Sequence, residues 1–479
     1  MTTGASPENR GETQDQLWLL CPICKNPNPT GTLHCKHCWG PSLYAVEPIT
    51  SAELAAFQQS YRQKQKKYGV LRNLLVYVGA PLLIVAGIMF WLYNFTDFIF
   101  APPARLNSAS FPGEAAMYRY DLGRNGATSL SAVIPSGELK WSFQAQAPIL
   151  STPVAVNDTV YIGSNDGYLY ALDAATGDLR WKFKTGSWVE SSPAVVNGIV
   201  YFGSNDGKLY ALDAATGHEF WHYDTGRTVK SSPAVADGIV YFGSFDNFLY
   251  ALDARTGAVA WKYATGGYVY SSPVVANGIV YFGSNDNSCY ALNASDGRFR
   301  VKLTHREVLS SPSVNGDTVY FNSQRYLVVM DGKARNWPME KPIRYWWGRL
   351  YLARIVPPPP GMTGLLWATR LSYGNTNTSP VYADGNIYTT GDNRVYQIED
   401  ETYKITWTFT TGGYMEASPC LANGVVFAGS RDGKLYAIDA DNGEKIWDFN
   451  AAGPIHGSPT YAKGVVYVAT ENGTLYAVK

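Results

Sequence analysis

The chain has 479 residues, with 39 basic and 39 acidic side chains, so its formal charge at pH 7 is zero. Balanced charge gives no footprint for nucleic acid, and the length allows more than one domain. Aromatic residues make up 14% and charged residues only 16%, which suits many short, well-buried strands.

Residues 1–16 are polar and read as a disordered tail. Residues 17–45 contain CPICKNPNPTGTLHCKHCWG, in which Cys21 and Cys24 form one C-x-x-C and Cys35 and Cys38 another. Each pair sets two thiolates on one tight turn, and two facing turns make a tetrahedral soft-ligand site. The expectation is a zinc ribbon holding structural Zn²⁺, with redox disulfides or free thiols as the plainer reading. All four positions are filled by protein, so no zinc catalysis is expected.

Residues 46–72 form a basic helical stalk, with Ser51–Tyr68 as a helix capped by Thr50 or Ser51 and Glu53 in its first turn. Within residues 73–96, the run from Leu74 to Tyr93 carries no charge. About 20 helical residues span about 30 Å, so this run is expected to be a single-pass transmembrane helix in contact with the lipid bilayer. Arg62, Lys64, Lys66, Lys67 and Arg72 precede it with no acid among them. That asymmetry puts the N-terminus in the cytoplasm and the remainder outside the cell membrane. Residues 97–136 then read as an extracytoplasmic linker, stiffened by Pro102 and Pro103.

From residue 137 to 479 the chain repeats with a period of about 40. The stretch GIVYFGSNDGKLYALDAATG from Gly198 shows the unit, with alternating apolar runs separated by Asn197-Gly198 and Asp206-Gly207. Four short antiparallel strands per unit make a propeller blade. Ser/Thr-Pro markers at Pro153, Pro193, Pro233, Pro273, Pro312, Pro380, Pro419 and Pro459 count eight blades. The last unit stops after its third strand, so the strand around Glu138–Phe143 is expected to complete it and close the ring. The fold class is therefore all-β, an eight-bladed β-propeller preceded by a zinc ribbon and one transmembrane helix.

These repeats resemble the PQQ-like (pyrroloquinoline-quinone repeat) propeller family. The resemblance rests on ALDAATGDLRW from Ala171, ALDARTGAVAW from Ala251 and the lead-in MYRYDLGRNGATS from Met117. Within the family the chain looks similar to the propeller lipoprotein of outer-membrane protein assembly, an interaction scaffold. Its anchor differs, being a transmembrane helix in place of an N-terminal lipobox. The family's enzymes hold the quinone on a tryptophan floor beneath adjacent cysteines, with Ca²⁺ bound by acids and Asn. This sequence has no Cys-Cys pair and no recognisable Glu-Asn-Asp set, so PQQ and Ca²⁺ are not favoured.

Residues repeated in every blade read as scaffold, including Asp173, Asp213, Asp253 and Asp439 before a turn. Cys289 and Cys420 occupy core positions of blades that are not neighbours and are expected to be free, buried and apolar in role. Function is sought where equivalent positions differ. Three residues before the markers stand Leu150, Glu190, Lys230, Tyr270, Leu309, Asn377, Glu416 and His456. They sit in connections that ring one mouth of the channel. Glu190, Lys230, Tyr270, Asn377, Glu416 and His456 are therefore candidates for one ligand site, and a solvated, drifting rim is the alternative.

The second asymmetry is an insertion at 332–362 in blade 5, basic and aromatic, ending in a proline run. Trp337, Arg344, Trp346, Trp347 and Arg349 make it a candidate partner-binding surface. The alternatives are a rim lid or a replacement for a degenerate outer strand, and its place should be opposite the channel-mouth loops. The leading functional reading is a membrane-anchored, non-catalytic scaffold that binds an extracytoplasmic protein or small ligand. A PQQ- and Ca²⁺-dependent quinoprotein dehydrogenase is one alternative, and a transmembrane sensor coupling propeller to ribbon is another.

Overall fold

The structure, a computed structural model, describes residues 16–38, 42–95, 127–128, 134–306, 308, 310–336, 340–359, 361–372 and 378–479. The chain divides into two compact units, residues 1–96 and 97–479.

In the first unit Trp18–Leu20 pairs antiparallel with Pro27–Pro29. Backbone bonds between Trp18 and Ile49 at 2.8 and 2.9 Å carry the ribbon past residue 45. Leu19, Cys21, Cys35 and Leu43 form its small core. Helix α1 (Ser51–Leu74) starts on a capping box. The Thr50 N–H donates to Glu53 Oε2 at 2.8 Å, and the Glu53 N–H returns to Thr50 Oγ1 at 3.3 Å. The first of these bonds holds the Glu53 carboxyl below its ordinary value. The backbone then passes through a π-helical segment, Leu75–Gly79, into α2 (Ala80–Phe95).

Here the structure corrects an expectation. Among the described residues no helix is long and apolar enough to cross a membrane. The apolar run is divided by the π-helical segment, and the 16 residues of α2 reach about 24 Å, short of a bilayer core of about 30 Å.

In the second unit the described residues form eight blades, seven of four strands and one of five. Blade 2 shows the pattern, with Ala194–Val196, Ile199–Gly203, Lys208–Asp213 and Glu219–Asp224 paired in sequence order. Asn197 and Gly198 both have positive φ, 52° and 76°, as a two-residue hairpin requires. Asp206-Gly207 closes a longer turn instead, because Asp206 caps it by accepting the Lys208 N–H at 3.1 Å and the Tyr210 hydroxyl at 2.7 Å. The outer strand carries a bulge at Phe220, opposite Ala211 and Leu212 of the third strand, and the same irregularity recurs in the other seven blades.

Ring closure is as expected. Leu139–Gln144 supplies the fourth strand of blade 8, pairing with Thr474–Val478 from Thr474↔Gln144 to Val478↔Leu139. One pairing was not anticipated. Ala127–Thr128 runs parallel to Cys420–Ala422, on the open edge of blade 7's inner strand, so part of the stretch read as linker belongs to the sheet.

Neighbouring blades are joined by one device repeated around the ring. Trp181 lays its indole on Gly217 of the next blade and donates Nε1–H to Ala214 O at 3.1 Å. Trp141, Trp221, Trp261 and Trp407 donate in the same way, to Ala174, Ala254, Ala294 and Ala440. Trp447 closes the set by donating to Pro135 O at 2.7 Å. The repeated aspartates are scaffold, as read: Asp213 Oδ1 accepts the N–H groups of Ala215 and Thr216 across its turn. Cys289 and Cys420 are buried thiols outside any disulfide, and burial pushes the Cys289 thiol up.

The insertion does not replace the outer strand of blade 5, because Leu365–Arg370 is present and paired with Tyr326–Asp331. It lies instead against the edge of blade 4. Asn336 donates its N–H to Arg300 O at 3.0 Å and accepts the Lys302 N–H at Oδ1 at 2.7 Å. Helix α3 (Glu340–Leu352) follows. The proline run is tied back to it, since Trp347 Nε1–H donates to Pro357 O at 2.9 Å.

Candidate functional site

Two sites predicted from sequence assemble in the structure. In the ribbon, the turn that carries Cys21 and Cys24 is closed by the Lys25 N–H to Cys21 O bond at 3.0 Å. The four sulfurs lie within 4.8 Å of one another, with Cys21–Cys38 at 3.7 Å and Cys24–Cys35 at 3.5 Å. Zn–S bonds of about 2.3 Å in a tetrahedron imply sulfur separations of about 3.8 Å. The set therefore fits a structural Zn²⁺ and leaves no open coordination position.

Burial raises the Cys35 thiol, but the N–H groups of His37 and Cys38 more than offset it and hold it at about 6. Cys21 is also lowered, burial again being outweighed, here by the Cys24 and Ile23 N–H groups. Both shifts favour thiolate, the form that binds metal. Sequence reasoning missed Asn28. It is buried, donates Nδ2–H to Cys35 Sγ at 3.5 Å and accepts the Lys36 N–H at 3.0 Å, a supporting contact of the kind that orients a ligand.

At the propeller axis, the residues before the marker prolines converge on one cavity of about 200 Å³. Leu150, Glu190, Lys230, Tyr270, Glu416 and His456 all line it. Leu309 and Asn377 lie outside the described residues. The rim charges are already paired. Lys230 Nζ is 2.5 Å from Glu190 Oε2. Across the mouth Arg431 Nη1 reaches both oxygens of Glu416, at 3.0 and 2.9 Å, and Nη2 lies 3.4 Å from Glu471. The Glu416 carboxylate in turn raises Arg431 above its ordinary value. His456 Nε2 is 3.7 Å from Glu416 Oε2.

Below this rim runs a feature the sequence reading used only as a marker. The residue before each proline is Ser or Thr, and the eight hydroxyls form a closed circuit. The Thr152 N–H donates to Ser192 Oγ at 2.9 Å, and each next blade repeats the step through Ser232, Ser272, Ser311, Ser379, Ser418 and Ser458. Ser458 closes it by donating its N–H to Thr152 Oγ1 at 3.2 Å. Every hydroxyl oxygen therefore accepts a backbone bond, which satisfies buried inner-strand amides. Arg431 and Glu471 were also missed, although a signal existed: they stand where blades 1, 2 and 4 have Asn165, Asn205 and Asn285.

Residues 126–233, 205–337 and 415–479 match the family model described as outer membrane protein assembly factor BamB. The chain belongs to this PQQ-repeat propeller family. Among solved structures, the PQQ-repeat propeller is similar to BamB from Moraxella catarrhalis, at 16% identity over 71% of this chain and 97% of that one, with a TM-score of 0.57. It is also similar to quinohemoprotein alcohol dehydrogenase from Comamonas testosteroni, at 16% identity over 77% and 81%, TM-score 0.63. A europium-containing methanol dehydrogenase aligns at 15% identity over 76% and 90%, TM-score 0.61. At such identities the likeness shows the fold alone. A search of curated proteins found no match.

The described lining fits PQQ poorly. It offers one aromatic ring, Tyr270, and no tryptophan floor, within about 200 Å³. Glu190 and Glu416 are the two carboxylates of the described lining, and they do not gather with a third acid into a metal-binding group among the described residues.

Of the insertion candidates, Arg344 and Trp347 bond to the insertion itself. Arg344 Nη1 bonds Gly361 O and lies 3.8 Å from Glu340 Oε1, while Trp347 holds Pro357. They brace the insertion while remaining half exposed. Trp346 and Arg349 are exposed, Arg349 over the Tyr345 ring at 5.1 Å. Trp337 lies outside the described residues.

Proposed function

We propose that this protein is a non-catalytic binding scaffold: a PQQ-like propeller that takes a small polar ligand, or a partner's polar side chains, at its channel mouth. The observation that carries this reading is the chemistry of that mouth. Symmetry-breaking charges sit over a ring of hydroxyls whose oxygens already accept backbone bonds, and each rim carboxylate is held by a cation. A polar cup of paired charges exchanges its ion pairs for those of a ligand. Among the described residues it presents neither an activated nucleophile nor a flat aromatic floor. The ribbon binds structural Zn²⁺ through Cys21, Cys24, Cys35 and Cys38, and serves as a folded surface module.

The localisation we propose is the cell membrane, with the N-terminus cytoplasmic and the propeller outside, the crossing made by the π-helical segment and α2 taken together and not by any single α-helix. Its support is the uncharged run in which Val76, Leu82, Leu83, Ile84, Val85 and Ile88 are all exposed, following a basic stalk. A helix apolar all round is at home in lipid or a protein core. Recovery of the full-length chain in the carbonate-soluble fraction would remove this part of the proposal.

The deciding experiment titrates the full-length chain with PQQ and Ca²⁺ by calorimetry, alongside dye-linked alcohol oxidation. The scaffold reading expects neither stoichiometric binding nor turnover. Tight binding with turnover would replace it with a quinoprotein dehydrogenase, two of the fold's neighbours being named quinohemoprotein alcohol dehydrogenases. Photo-crosslinking from position 456 should then capture a partner or ligand that the combined Glu190→Ala, Lys230→Ala and His456→Ala variant no longer binds.

A further inference from the structure

A larger cavity, of about 490 Å³, lies where blade 4 meets the blade 5 insertion. The repeat is broken there twice. Val301 stands where other blades carry the clamping tryptophan, and the insertion brings α3 beside the outer strand Phe299–Thr304. Asn336 joins the two through the backbone bonds described above, so the space is walled by both.

The walls are largely apolar. The Tyr263 and Phe299 rings stand stacked, centroids 6.4 Å apart and 14° between planes, and Tyr290, Pro342 and Met362 complete them. The polar groups are few and unequal. Lys302 Nζ is 2.6 Å from both Asp286 Oδ2 and Tyr290 Oη, which leaves its third N–H unengaged among the described residues. Among the described residues Arg344 uses only Nη1, toward Gly361 O and Glu340, which leaves Nε and Nη2. The acid in the lining, Glu340, is buried and engaged. Its Oε2 accepts Asn336 Nδ2–H at 2.6 Å, and its Oε1 accepts the Thr363 N–H at 3.3 Å. Lys302 is countered by Asp286 and Arg344 lies near Glu340, so the charges balance, and what the site offers a ligand is the spare N–H donors of its two cations.

We propose that this cavity is a binding site for an aromatic carboxylate. The ring of such a ligand lies against Tyr263, Phe299 and Met362, and its carboxylate takes charge-assisted hydrogen bonds from Lys302 and Arg344. The volume is within the range of small-molecule sites, about 300–1,000 Å³ with apolar walls and a few convergent polar groups. This site is separate from the channel mouth and stands whether or not the mouth binds anything.

The test uses the full-length chain with naphthoate and its neutral isostere naphthylmethanol, by calorimetry. Naphthoate should bind at least about tenfold more tightly than the alcohol, the smallest gap expected from one charge-assisted bond. Arg344→Gln should remove most of that gap, leaving the alcohol's affinity unchanged. Met362→Trp, which fills the cavity without touching the charges, should abolish binding of both at an unchanged melting midpoint. The paired channel variant Glu190→Gln with Lys230→Gln should bind naphthoate like the parent. No binding at millimolar naphthoate, equal affinity for acid and alcohol, or loss of binding in the channel variant would each overturn the proposal.

Discussion

Gly217→Ala should destabilise the propeller distinctly more than Gly198→Ala, although both glycines have left-handed φ, +73° and +76°. Placing a Cβ in that region costs about 1–2 kcal/mol at either position. The gain from a stiffer unfolded chain is common to both and cancels. Nothing lies within 4 Å of the new methyl at Gly198, so the conformational cost is the whole effect there. At Gly217 the methyl would fall 2.7 Å from Trp181 Cε3 and 2.8 Å from Cδ2. The indole can retreat only by straining its Nε1–H bond to Ala214 O, 3.1 Å long. Losing that bond costs about 1 kcal/mol, and overpacking adds about 1–3 kcal/mol. The expected totals are about 3–6 kcal/mol for Gly217→Ala and about 1–2 kcal/mol for Gly198→Ala. Urea unfolding of the full-length chain, followed by tryptophan fluorescence, gives each value as the midpoint shift multiplied by m. Equal destabilisation within about 0.5 kcal/mol would show that the indole does not clamp the blades.

Trp141→Ala removes the clamp at ring closure and should cost about 3–5 kcal/mol in the same urea assay, since a large aromatic leaves a cavity. Elemental analysis of the purified chain should find one zinc per molecule; Cys24→Ser or Cys35→Ser should lose it, and Cys289→Ser should not. Iodoacetamide should spare Cys289 and Cys420 in the folded chain and modify both in urea, because both thiols are buried. Acid stability should follow the turn aspartates. The Arg180 hydrogen bond, with the Ala175 and Thr176 N–H groups, holds Asp173 at about 2, and Thr216 and Thr256 lower Asp213 and Asp253. A folded value below the unfolded one of about 3.9 contributes stability that is complete above that pH and lost as pH falls toward the folded value. Melting midpoints should therefore drop between about pH 4 and 2, and Asp173→Asn should shrink the drop.

Most of the propeller was legible in the chain because its signals are local and repeated. An Asn-Gly pair sets its own hairpin, an alternating run sets its own face, and a missing fourth strand at one end matches a spare strand at the other. The four cysteines were legible for the same reason, as spacing alone puts two thiolates on each turn. The apolar run after the stalk was legible as composition, but its division by a π-helical segment was not, because a shift of helical pairing depends on backbone geometry that no residue there announces.

The site depended on contacts that sequence distance conceals. Glu416, Arg431, Glu471 and His456 come from different turns, and only the folding of blades 7 and 8 onto one rim pairs them. The final step of the hydroxyl circuit joins Ser458 to Thr152 across 306 residues, and it exists only because the ring closes. The insertion could be read as basic and aromatic, yet that Asn336 docks it on the edge of blade 4 while Arg344 and Trp347 bond to the insertion's own Gly361 and Pro357 depends on how the loop folds. Strand, turn and metal-ligand identity are set by near neighbours and are written in the order of residues. Which charges meet, which oxygens already have partners and where a cavity opens are set by closure of the ring, which only the tertiary structure decides.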